Sequence, residues 1–158
     1  MTAPATASRL TRGRTALANE AWEAVLTAYS ELMRDFASEE VWCDASMREY
    51  DVLYTLSKCD EPQRITELGR HVLLSQPGLS RLVDRLVERG LVSRCVDPGD
   101  ARAVHVQLTQ EGREVQRRIG RGHGRSVAEA MTSALTDEEL TQLRALATKL
   151  VSTAREHS

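Results

Sequence analysis

Residues 75–92 read Ser75-Gln-Pro-Gly-Leu-Ser-Arg-Leu-Val-Asp-Arg-Leu-Val-Glu-Arg-Gly-Leu-Val92. Leu79, Leu82, Val83, Leu86 and Val87 fall at i, i+3, i+4, i+7 and i+8, which makes one apolar stripe along a helix. Ser75 offers an N-cap oxygen, and Pro77 in the first turn lacks an N–H that would have no partner there. Gly90 can take the left-handed conformation that ends a helix. With the stripe facing inward, the outward face carries Gln76, Pro77, Ser80, Arg81, Asp84, Arg85 and Glu88.

After this helix the period changes from 3.6 to 2. Leu91-Val-Ser-Arg-Cys-Val96 reads as a strand, and Asp97-Pro-Gly-Asp100 as a turn. Ala103 to Leu108 alternates, with Val104, Val106 and Leu108 on one face, which predicts a two-stranded hairpin. Upstream, Ile65 to Val72 reads as a short helix with Leu68 inward. Before it, Ser46-Met-Arg-Glu49 is a capping box that opens a helix ending near Lys58. Two short helices joined by a tight turn and followed by a hairpin describe a winged helix-turn-helix, whose second helix lies in the DNA major groove. On that reading Ser75, Gln76, Pro77, Ser80, Arg81 and Arg85 are the DNA-contacting candidates. Gln pairs with adenine, Arg with guanine, and a helix N-terminus receives phosphate.

Long helices flank this head. Ala18, Trp22, Val25, Tyr29, Leu32 and Phe36 step by four and three along a helix from about Leu10 to Phe36. Thr109 caps a second helix running to about Leu135. Thr136-Asp-Glu-Glu139 opens a third, striped by Leu140, Leu143, Leu146, Leu150 and Val151. Such helices overrun a domain of this size, so their stripes need cover, and two subunits covering one another supply it. The expected fold is mainly α with a small β-wing. Residues 1–8 form a tail, 9–40 and 113–158 supply dimerisation helices, and 46–112 form the DNA-binding lobe.

The chain has 158 residues, 41% hydrophobic and 28% charged, with a net charge of −2. That balance suits a globular protein and excludes a collagen-like repeat. No apolar run reaches the ~18–20 residues of a membrane span, and no signal peptide is evident, so the expectation is a cytoplasmic protein without a membrane partner. The overall charge hides an asymmetry. Residues 61–126 hold twelve arginines and eight acids, while residues 1–60 hold six basic and ten acidic residues. A basic middle between acidic ends fits a nucleic-acid reader with separate scaffold segments.

The run 75–92, followed by Asp97-Pro-Gly-Asp-Ala-Arg-Ala103 and Leu108-Thr-Gln-Glu-Gly112, resembles the signature of MarR-type (multiple antibiotic resistance regulator) transcription factors. The resemblance extends from about residue 15 to the end. It implies a homodimeric repressor on double-stranded DNA, reading a pseudo-palindrome. It also implies that Arg102 enters the minor groove while Asp100 holds its guanidinium, in keeping with the pull of a narrow groove on arginine.

Repressors of this kind respond to small aromatic anions, so a small-molecule effector is expected. Trp22, Tyr29, Tyr50 and Tyr54 could line one cavity if the first two helices pack together. Asp51, Arg81 and Arg94 match positions that bind ligand in the urate-responsive branch, which carries an additional N-terminal helix that this chain lacks the length for. A plain aromatic core is the alternative.

Three cysteines at wide spacing fit reduced thiols. Cys43, in a loop, is the candidate for a redox switch, while Cys59 and Cys95 read as buried and inert. His71, His105, His123 and His157 show no metal-ligand spacing, and neither a metal nor another cofactor is expected. Gly120, Gly122 and Gly124 interrupt the helix after the wing, either as a hinge or as a site of close packing. No phosphate loop or nucleophile–base motif speaks for an enzyme. The rival reading from another class is a winged helix used for protein assembly without DNA.

Overall fold

A computed structural model describes residues 12–70, 72, 74–96 and 104–156. The chain divides into two compact units, one ending at Ser38 and the other beginning at Glu39. The first is carried by helix α1 (Arg12–Ala37), 26 residues with no buried side chain. Its length is about 39 Å at 1.5 Å per residue.

In the second unit Ser46 starts α2 (Met47–Ser57) with the expected capping box. The Ser46 N–H donates to Glu49 Oε2 at 2.9 Å, and the Glu49 N–H donates to Ser46 Oγ at 3.4 Å. Helix α3 (Ile65–Leu68) is shorter than the span to Val72 that the sequence suggests. The chain turns at Gly69, where a Cβ would lie 2.7 Å from Gln76 Nε2, so the first turn of the next helix closes over this point. That helix, α4 (Gln76–Glu88), is capped by Ser75, whose Oγ accepts from the Gly78 N–H at 3.3 Å. Gly90 ends it at φ +71°, the one positive φ among the described residues.

The hairpin is part of a three-stranded antiparallel sheet. Strand β1 (Gln63–Arg64) precedes α3, β2 is Val92–Val96 and β3 is Val104–Leu108, in the order β1-β3-β2. The sequence reading missed β1 because two polar residues show no alternation. Its register sets Gln63 opposite Val106 and Arg64 opposite His105. On the other side of β3, Val92 faces Leu108 and Val96 faces Val104. Val106 and Leu108 are buried as expected, but Val104 is 40% exposed, because at this end of β3 the sheet is only a two-stranded ribbon beyond the core. The turn from Asp97 to Ala103 lies outside the described residues.

The core collects one face of each element: Val52, Leu53 and Leu56 of α2, Leu68 of α3, Leu79, Leu82, Val83 and Leu86 of α4, and Val92 and Val106 of the sheet. Helix α5 (Gln110–Ala134) adds Val115 and Ile119. Thr109 joins α5 to the end of α4: its Oγ1 accepts from the Gly112 N–H at 3.0 Å and donates to the Gly90 carbonyl at 2.6 Å. Gly112 leaves no space for a side chain, since a Cβ there would lie 1.9 Å from the Leu91 carbonyl oxygen. Helix α6 (Asp137–Glu156) follows a second capping box at Thr136 and exposes Leu143, Leu146, Leu150 and Val151.

Candidate nucleic-acid interface

The apolar stripe of α4 is held by the core, so its other side faces solvent. Ser75, Gln76, Pro77, Arg81 and Arg85 are exposed, and Ser80 is half-buried. Six candidates chosen from the sequence therefore share one accessible face. The Arg81 and Arg85 side chains make no ion pair or hydrogen bond among the described residues, so their guanidinium groups are available to an outside anion. Asp84, half-buried between them in sequence, is paired with Arg94 of β2. Asp100 and Arg102 lie outside the described residues.

Arg94 therefore departs from its expected place. The sequence reading put it in an effector pocket with Asp51; its position on β2 next to α4 turns it toward the reading helix instead. Cys59 and Cys95 also differ from expectation, because both are half-buried rather than buried. Cys59 Sγ lies 3.5 Å from the Thr55 carbonyl, and Cys95 Sγ lies 3.7 Å from the His105 carbonyl. Cys43 is exposed in the loop before α2.

A cavity of about 630 Å³ opens between α2 and α5. Tyr50, Asp51 and Tyr54 line it from α2; Gln116, Arg117, Gly120, Arg121, His123, Gly124 and Val127 line it from α5. The Tyr50 and Tyr54 rings stack, with centroids 5.7 Å apart and planes at 17°. His123 meets the Tyr50 ring edge-on at 5.6 Å, and Trp42 stands 5.1 Å from His123. Of the expected pocket residues, Tyr50, Asp51 and Tyr54 are thus here. Trp22 and Tyr29 are on α1, at 60% and 47% exposure. The sequence reading missed the α5 contribution, although Arg117 and Arg121 at i, i+4 share a helix face.

Burial pushes the Asp51 carboxyl above its ordinary value, with the charge of His123 acting against the rise. Burial also raises the Tyr50 hydroxyl. Behind them His123 Nδ1 lies 3.2 Å from Glu39 Oε2, and both side chains are largely covered. Gly120 and Gly122 of α5 fit this packing. A Cβ at Gly120 would lie 3.1 Å from the Tyr50 hydroxyl, and one at Gly122 would lie 2.6 Å from Val41 Cγ1. Helix α5 runs through all three glycines without a break.

A capped helix after a short helix and turn, with a β-hairpin behind it, is a winged helix-turn-helix. Residues 45–103 match the MarR family. The chain is 33% identical over 103 residues to the HTH-type transcriptional regulator PecS of Dickeya dadantii, covering 64% of this chain and 61% of PecS. The matched stretch is thus less than two thirds of that relative's length. A MarR family transcriptional regulator from Streptomyces coelicolor, solved in complex with DNA, is similar in structure at a TM-score of 0.73 and 28% identity, over 85% of this chain and 86% of that one. The PcaV regulator from the same organism, in complex with its natural ligand, is similar at 0.63 and 26% identity, over 98% and 99%. Over residues 45–103 the chain is thus similar to MarR family regulators, and its fold is theirs.

No helix among the described residues is long and apolar enough to cross a membrane.

Proposed function

We propose that this protein is a sequence-specific, DNA-binding transcriptional regulator, a homodimeric repressor released from a pseudo-palindromic operator by a small aromatic anion. The observation that carries the DNA-binding part is the outward face of α4, where Gln76, Arg81 and Arg85 stand exposed along a capped helix. Arg and Gln at such positions read guanine and adenine edges, and the Ser75-capped N-terminus suits a phosphate. The Streptomyces coelicolor relative of similar structure was solved on DNA. Residues 46–112 act as the reading lobe, and 9–40 with 113–158 as the dimerising helices.

The effector part is supported by the α2–α5 cavity. Two stacked tyrosines offer faces to an aromatic ring, and Arg117 and Arg121 offer a carboxylate partner. PcaV, similar over nearly the whole chain, was solved with a natural ligand.

Selection of duplexes from a random pool tests the proposal. A palindromic consensus is expected, with affinity that falls steeply as salt rises. Arg102→Ala is expected to weaken binding by about 1–3 kcal/mol if the wing arginine contacts a base. Enrichment of no sequence would favour the assembly module instead.

A further inference from the structure

We propose that Arg94 is a positioning residue for DNA reading: by holding the Asp84 carboxylate, it keeps Arg81 free to meet the nucleic acid. The proposal rests on the DNA-binding reading above and on the placement of three charges. Asp84 lies on α4 three residues after Arg81, within reach for an ion pair along the helix. Such a pair would tie up Arg81, yet Arg81 has no partner among the described residues. Asp84 is bonded instead to Arg94, which reaches it from β2.

Both side chains of the Asp84–Arg94 pair are a little under half exposed, at 47% and 43%. A pair so exposed contributes little to folding stability. Its effect is on charge at the reading face. An unmasked carboxylate there repels phosphate and competes for the cation that should bind it. Arg94 removes both effects without itself needing to touch DNA. It also couples the two elements that meet the duplex, since β2 leads into the wing and α4 is the reading helix.

The test is a charge-rescue series on a duplex selected from the random pool, measured at several salt concentrations. Arg94→Gln is expected to weaken binding about tenfold and to flatten the salt dependence by about one unit, as the loss of one phosphate contact would. Asp84→Asn should bind at least as well as wild type. The double variant should return to within about threefold of wild type and recover the salt slope, and Arg94→Lys should keep most of the affinity. Melting temperatures of the four variants should lie close together, which separates masking from misfolding. A double variant as weak as Arg94→Gln would make Arg94 a direct DNA contact and overturn the proposal. Weakening by Asp84→Asn alone would make the pair a structural strut and overturn it equally. Wild-type protein that binds no duplex would overturn the DNA-binding reading and this one with it.

Discussion

Arg89 Nη1, at the end of α4, donates to Glu49 Oε1, in the first turn of α2, at 3.0 Å across 40 positions of chain. The same carboxylate accepts from the Ser46 N–H, so one buried group caps a helix and joins two. Burial pushes the Glu49 carboxyl up, and the Ser46 hydrogen bonds with the Arg89 charge more than offset it, leaving it below the usual 4.5. A depressed carboxylate stabilises the fold above its unfolded value and ceases to do so as pH falls through the folded one. Urea denaturation should therefore show stability dropping below about pH 4.5. Glu49→Gln should cost about 1–3 kcal/mol at neutral pH and flatten that drop. An unchanged acid limb would remove Glu49 from the account.

Asp51 has the opposite sign. Its carboxyl is raised by burial, against the opposing charge of His123. The ionised form is thus the disfavoured one in the fold, and its contribution to stability improves as pH falls through the raised value. Asp51→Asn should raise the urea midpoint at neutral pH, and the gain should shrink on acidification. A destabilised variant would mean that the charge holds something in place.

The glycines of α5 separate hinge from packing. Gly124 has open space where a Cβ would go, whereas at Gly122 a Cβ would meet Val41 at 2.6 Å. Gly124→Ala should stabilise by up to about 1 kcal/mol through helix propensity. Gly122→Ala should destabilise. Thermal melts decide the signs. A lower melting temperature for Gly124→Ala, with loss of effector response, would restore the hinge.

Leu146 and Leu150 of α6 are 61% and 69% exposed in the single chain. If a second copy covers them, Leu146→Glu with Leu150→Glu should shift the mass measured by light scattering from dimer to monomer. A dimer that survives both changes would place the interface elsewhere.

The cavity has a built-in reporter. Trp42 stands 5.7 Å from Tyr50, which lines it. In a Trp22→Phe background Trp42 is the sole tryptophan, and an aromatic carboxylate should change its emission saturably under tryptophan-selective excitation. Arg117→Ala with Arg121→Ala should weaken that binding at least about tenfold if a charged contact anchors the acid. Equal binding of the uncharged analogue would remove the arginines from the site.

What was legible in the sequence was whatever a local pattern encodes. The stripe from Leu79 to Leu86, the caps at Ser46, Ser75 and Thr109, and the stop at Gly90 each follow from residues a few positions apart, and all appear in the structure. What was missed depends on contacts distant in sequence. Strand β1 exists because β3, some forty residues on, offers it a partner. Resemblance to the urate-responsive branch set Arg94 beside Asp51, but only the fold shows that Arg94 reaches Asp84. The arginines and His123 of α5 were not linked to the tyrosines of α2, because no spacing rule connects two separate helices.

Strand β3 is held on both edges at His105 and Val106, but on one edge only at Val104. The ribbon therefore has a gradient in how firmly it is fastened. Opening near Val104 breaks one ladder at an exposed residue, whereas opening at Val106 breaks two and uncovers the core. Local opening free energies range from near zero at frayed ends to the global unfolding value in the core. Amide exchange should accordingly slow by orders of magnitude within a few residues of this one strand. Exchange at Val104 then reports fraying of a single ladder, whereas exchange at Val106 reports opening of the core itself.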